Sequence, residues 1–154
     1  MSPIRQGDKY GRRDRIDPFT GTGADPLLAT KYGYQINKDI AFGFLKLIDI
    51  EKLRDSVVDD WFNQTLCEVN GCVVRLGVVK GEFHWHHHDE EDEFFYVVSG
   101  KLFIDLEDRT IELNPDQGFT IPRKVRHRTR ALERTAMLMV EGAGVEPTGD
   151  GDAE

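Results

Sequence analysis

Phe83-His84-Trp85-His86-His87-His88-Asp89-Glu90-Glu91-Asp92-Glu93-Phe94-Phe95-Tyr96-Val97-Val98-Ser99-Gly100 joins a histidine cluster to an apolar run. Side chains alternate along a strand, so His84, His86 and His88 share one face and His87 takes the other. Two imidazoles on one face converge on a single ion, and imidazole nitrogen suits Zn, Cu, Fe and Ni, while a carboxylate extends the choice to Mn. A bare H-x-H in an acidic stretch also describes a polar surface strand. Asp89 to Asp92 read as solvated loop. Glu93 opens the apolar run and shares a face with Phe95 and Val97. A carboxylate facing an interior requires a compensating charge, for which a divalent cation serves; read alone, Glu93 closes the acidic loop as readily.

Outward from this run the chain is a series of short β-like segments. Ala41 to Ile48 is apolar and reads as a first strand. Asp49 to Asp59 has Ile50, Leu53 and Val57 at helical spacing among charges. Trp61 to Val69 and Cys72 to Val79 form a hairpin through Asn70-Gly71. Phe83 to His88, Glu93 to Val98, Leu102 to Leu106, Arg109 to Leu113, Phe119 to Ile121, His127 to Leu132 and Arg134 to Val140 follow. Many short strands separated by Gly, Asn, Asp and Pro predict an all-β sandwich or barrel, and the lack of alternating helices argues against a doubly wound α/β fold. Residues 1 to 38 are rich in Gly, Asp, Arg and Pro without a period and are expected to form an irregular N-terminal arm. Residues 39 to 141 are expected to form the β-barrel, and residues 142 to 154 a flexible acidic tail.

Gly81-x4-His86-x-His88-x4-Glu93-x6-Gly100 resembles the first signature of the cupin superfamily, G-x5-H-x-H-x3-4-E-x6-G, with only the first interval one residue short. The other register, His84 and His86 with Glu90, puts Val97 where the closing glycine belongs, so Gly100 selects His86, His88 and Glu93. The second signature, G-x5-P-x-G-x2-H-x3-N, is met less fully, by Gly118, Pro122 and His127, with a shorter first interval, Lys124 in place of the glycine and Ala131 in place of the asparagine. The resemblance covers residues 70 to 141. Beside the one short helix read from Asp49 to Asp59, it implies a double-stranded β-helix (a jelly-roll-like barrel), a homodimer, and one divalent transition metal per chain (Fe, Zn, Mn, Ni or Cu) held by His86, His88, Glu93 and His127. Open positions on that metal would separate a catalytic site from a closed structural one. If Glu93 and His127 point inward, Phe95, Val97, Thr129 and Ala131 do too, and Phe95, Val97, Thr129 and His84 are the expected pocket-lining residues. Arg126, Arg128 and Arg130 then face outward.

The resemblance implies a metal-dependent enzyme acting on a small organic molecule, either a dioxygenase or a sugar-phosphate-isomerase-like protein; the alternative is a non-catalytic metal- or small-ligand-binding or sensing module. No catalytic base is evident, Tyr96 and His84 being the candidates. A single domain is expected from 154 residues, and the net charge of -8 argues against duplex nucleic acid or an anionic membrane as partner. The polar N-terminus has no secretory or membrane-spanning pattern, which points to the cytoplasm. Cys67 and Cys72 flank the Asn70-Gly71 turn and are expected to be reduced, although their spacing would also permit a disulfide.

Overall fold

A computed structural model of the chain describes residues 36 to 150. The expected arm over residues 1 to 38 therefore lies outside the described residues, except for its last three. Of these, Ile36 and Asn37 form strand β1, buried and parallel to the strand Trp61–Val69 (β2).

The remaining elements are helix α1 (Ile50–Ser56) and strands β3 (Cys72–Glu82), β4 (Glu93–Ser99), β5 (Leu102–Leu106), β6 (Thr110–Leu113), β7 (Gly118–Ile121) and β8 (His127–Gly142). The Asn70-Gly71 turn works as its sequence predicts: both residues have positive φ, which a tight hairpin requires. The strand path runs β1-β2-β3-β8-β4-β7, with β5 and β6 branching from β8, so the jelly roll is open and not a closed ring.

β8 organises the roll. Its second half lies between β3 and β4, while its first half pairs with β5. The expected break between two strands near Leu132 is instead a register shift within one long strand: β3 passes from Val79↔Thr135 to Gly81↔Ala131. Residues 132 to 134 bulge outward, with Leu132 70% exposed, and the bulge lets one strand serve both faces of the roll.

Alternation in β4 and β8 fills the interior with Phe95, Val97, Ala131, Met137 and Met139, together with Leu102, Ile104 and Ile121. A second cluster covers the outer face of β2 and β3, where Phe62, Leu66, Leu76 and Val78 meet Ala41, Phe42 and Leu53 of α1. Asp49 caps that helix by accepting from the Lys52 amide at 3.0 Å. Ala41 to Ile48 is not the strand expected from its apolar character. Only Ala41 and Phe42 dock, donating to the carbonyls of Thr65 and Leu66; Leu45 then takes a positive φ of 62°, which ends the extended run. Cys67 and Cys72 are free thiols, paired in register with Val74 and Val69 rather than with each other.

The chain does not trail away after β8. Gly142 to Asp150 folds back across the mouth of the roll, with Val145 and Thr148 buried. Its composition resembles a solvated tail, but its backbone finds partners: Ala143 donates to the Gly71 carbonyl and Asp150 to that of His87. Residues 151 to 154 lie outside the described residues.

Candidate metal centre

The segment after β3 leaves the regular ladder. Phe83 to His88 is held to β8 at separate points: the Phe83 amide donates to the Thr129 carbonyl at 2.8 Å, and His86 and His127 exchange both backbone bonds at 2.9 Å. The expected strand is thus a single bridge, but the alternation survives. His86 and His88 point inward, and His87 points out to pair with Asp89 at 3.2 Å. Glu93 begins β4 and His127 begins β8, so three separate stretches deliver four side chains to one point.

His86, His88, Glu93 and His127 are all buried, and one ligand atom from each lies within 4.8 Å of all the others. Nδ1 of His127 lies 2.9 Å from the Val125 carbonyl and Nδ1 of His86 lies 3.0 Å from that of His84. A carbonyl only accepts, so both Nδ1 atoms carry a proton, and Nε2 of each ring is the atom turned inward. Nε2 of His127 and Nε2 of His88 then lie 3.2 and 3.3 Å from the same Glu93 oxygen, Oε2. Lone pairs facing a buried carboxylate at this range need a cation between them, either a proton or a metal ion. His88 shows this most directly: its Nε2 faces Glu93 Oε2, and its buried Nδ1 has no hydrogen-bond partner among the described residues. The donor set therefore fits a divalent transition metal.

Electrostatics agree with this reading. Burial, and then the neighbouring His127, push the His86 imidazole down to about 3, so the ring is neutral across the physiological range. Burial would lower His88 as well, but the hydrogen bond and charge of Glu93 outweigh it and hold that ring above its usual value. Burial would raise Glu93, yet its bonds to His127 and His88 keep it ionised well below the usual carboxylate range.

A cleft of about 520 Å³, measured with its open mouth, reaches His86 and Glu93. Of the expected lining residues, Phe95 and Thr129 line it. Val97 packs deeper in the core, fully buried. His84 sits to one side, its Nε2 2.7 Å from the Thr148 carbonyl. Tyr96, on the opposite face of β4, donates to Asp116 at 2.6 Å and stays outside. Arg126, Arg128 and Arg130 face outward as expected; Asp105 accepts from both Arg128 and Arg130 at 2.8 Å.

The sequence reading missed Glu141, which also lines the cleft and is 3% exposed. Strand parity would have found it, since 137, 139 and 141 continue the inward face of 127, 129 and 131. Its Oε1 lies 3.5 Å from Nε of the buried Arg75, whose guanidinium is also tied to Asn63. Burial, and then the charge of Glu93, raise the Glu141 carboxyl well above the usual range, against the pull of Arg75.

Comparison with known proteins fits this architecture. The cupin domain model matches residues 72–141. A cupin-2 domain containing protein from Shewanella frigidimarina is 30% identical, with a TM-score of 0.60 over 62% of this chain and 94% of that one. The chain belongs to the cupin family. Among curated relatives of this cupin, the uncharacterized protein YdbB of Bacillus subtilis is 39% identical over 97 residues, 62% of this chain and 86% of the relative. The polyketide synthase CurC of Streptomyces cyaneus is 49% identical over 55 residues, 36% of each chain. NMB1881 from Neisseria meningitidis shares the fold at 19% identity, with a TM-score of 0.58 over 63% of the cupin and 99% of that chain. The cupin's departure at Lys124 also has a physical reading. Lys124 has a φ of 67°, the left-handed conformation that the signature glycine adopts freely, and its amide donates to the His88 carbonyl.

Proposed function

We propose that this cupin binds one divalent transition metal through His86, His88, Glu93 and His127 and acts on a small, uncharged and largely apolar organic molecule, as a dioxygenase rather than a sugar-phosphate isomerase. The lining of the cleft carries this reading. Trp61, Val79, Phe83, Phe95, Met137 and Met139 supply its walls, and its carboxyl-bearing members are Glu93 and Glu141. Among the described residues lining it there is no lysine or arginine. A phosphate would enter a low-dielectric space whose described lining offers it no lysine or arginine and leaves the bound metal as its one counter-charge, which disfavours its burial there. Arg75, the nearest buried cation, is already engaged by Asn63 and Glu141.

The bound metal would supply Lewis acidity and, as Fe(II), the capacity to activate O2. The chain's own residues do the rest. Met137, Met139 and Phe95 exclude water and hold apolar surface, while Thr129 and Glu141 offer polar contacts that orient it. A relative named as a polyketide synthase, CurC, is consistent with an apolar, oxygen-bearing substrate.

The test is metal analysis of untagged protein, followed by oxygen-uptake assays of the Fe(II)-loaded protein with neutral diketones and catechols, and by anaerobic assays with sugar phosphates. Oxygen consumption with a neutral substrate supports the proposal. Anaerobic turnover of a sugar phosphate overturns it, and tight ligand binding without turnover would favour a sensing module instead.

A further inference from the structure

The two histidines of the H-x-H pair sit on a segment with little regular pairing of its own, and residues beyond the family match hold it in place. His84 to Asp89 contributes one backbone bridge to β8, at His86. On its other side it meets the returning chain at four points. Nε2 of His84 lies 2.7 Å from the Thr148 carbonyl. The Asp150 amide donates to the His87 carbonyl at 2.8 Å. The Asp89 amide donates to Asp150 Oδ2 at 2.7 Å. Gly149, with a φ of 92°, packs so closely that a Cβ built there would stand 2.6 Å from the Cβ of His86 and 3.0 Å from the His87 carbonyl oxygen.

We infer that residues 148 to 150 are a positioning strap for the metal centre, with Gly149 and Asp150 fixing the spacing of His86 and His88. This rests on the proposed metal site and adds a determinant outside the domain match, which ends at residue 141. Asp150 bonds both sides of His88, through His87 and Asp89, so it defines the path of the segment that carries that ring. Gly149 permits the approach because no side chain intervenes; any β-carbon must push His86 or the strap away. Ligand-supporting contacts of this kind typically carry about 10- to 100-fold in metal affinity.

The experiment uses the full chain and cobalt(II) alone, titrated with a competing chelator and read by its visible absorption. Gly149→Ala is expected to weaken cobalt binding at least ~10-fold and to change the absorption bands, because a Cβ there displaces His86. Asp150→Ala is expected to weaken it similarly. Asp150→Asn keeps an oxygen acceptor for the Asp89 amide and is expected to restore most of the affinity. Thermal unfolding of the metal-free variants monitors the fold, which draws its core from residues that the strap does not supply. Wild-type affinity and spectrum in Gly149→Ala and Asp150→Ala would overturn the strap. Absence of cobalt binding by the wild-type chain would overturn the metal site itself, so the two failures are distinguishable.

Discussion

Gly100 and Thr135 are in closer contact than any other side chain at position 100 would allow. A Cβ built on Gly100 would stand 2.5 Å from Thr135 Oγ1 and 2.7 Å from the Arg134 carbonyl oxygen, and Gly100 holds a φ of 85°. Thr135 Oγ1 in turn accepts from the Lys101 amide and donates to the Lys101 or the Glu133 carbonyl, which ties the β4–β5 turn to the bulge in β8. The glycine that selects the histidine register in the sequence is thus a packing requirement of the fold.

Gly100→Ala is therefore expected to destabilise the protein by about 3 kcal/mol, combining left-handed strain with overpacking. In urea unfolding followed by circular dichroism, the midpoint should fall without a change in far-UV spectrum. An unchanged midpoint would mean that the turn relaxes freely and that this account of Gly100 is wrong.

His86→Ala removes a proposed ligand that is buried and whose Nδ1 is already committed to the His84 carbonyl. Metal per chain, measured by inductively coupled plasma mass spectrometry on untagged protein, should fall at least ~10-fold. His87→Ala is the matched control, since His87 points outward toward Asp89. Equal losses in both variants would indicate a surface histidine patch instead of a defined centre.

Much of this arrangement was legible in the sequence because periodicity and spacing survive folding. His86, His88, Glu93 and His127 meet as the signature implies, and Leu102–Leu106 forms within the expected limits. Other features depended on partners that local sequence does not name. Ala41 to Ile48 is apolar, but its fate turned on whether anything covered it, and Phe44 and Leu47 are 84% and 74% exposed. Residues 142 to 150 carry the composition of a tail, yet their order comes from the mouth of the roll, which is distant in sequence. Arg75 is buried against Glu141 and Asn63, partners 66 and 12 residues away that its own stretch of sequence does not name.

Metal binding should depend on pH through His88. A metal needs the neutral ring, and in the metal-free chain Glu93 holds His88 above its ordinary value of 6.5. Protons therefore begin to compete above pH 6.5, and below it affinity should fall by about tenfold per pH unit for one displaced proton. His86, neutral down to about 3, adds nothing to the slope in this window. Chelator competition between pH 5.5 and 8 measures the slope; a flat profile would place His88 outside the coordinating set.

Glu141 gives the metal-free protein a pH dependence of the opposite kind to that of a salt-bridged carboxylate. Its folded value is raised by burial and by the charge of Glu93. In the unfolded chain it ionises in the ordinary range near ~4.3. Between those two values the unfolded state has lost a proton that the folded state retains, so stability declines as pH rises. Below the ordinary range both states are protonated and the penalty vanishes. Glu141→Gln reproduces the neutral form at every pH, so the metal-free variant should be more stable than wild type at pH 7.5 and nearly equal to it at pH 4. Urea unfolding at the two pH values tests this. Parallel curves for variant and wild type would show that Arg75 neutralises Glu141 after all, and would leave the cleft with an ionised carboxylate in place of an acid able to donate a hydrogen bond.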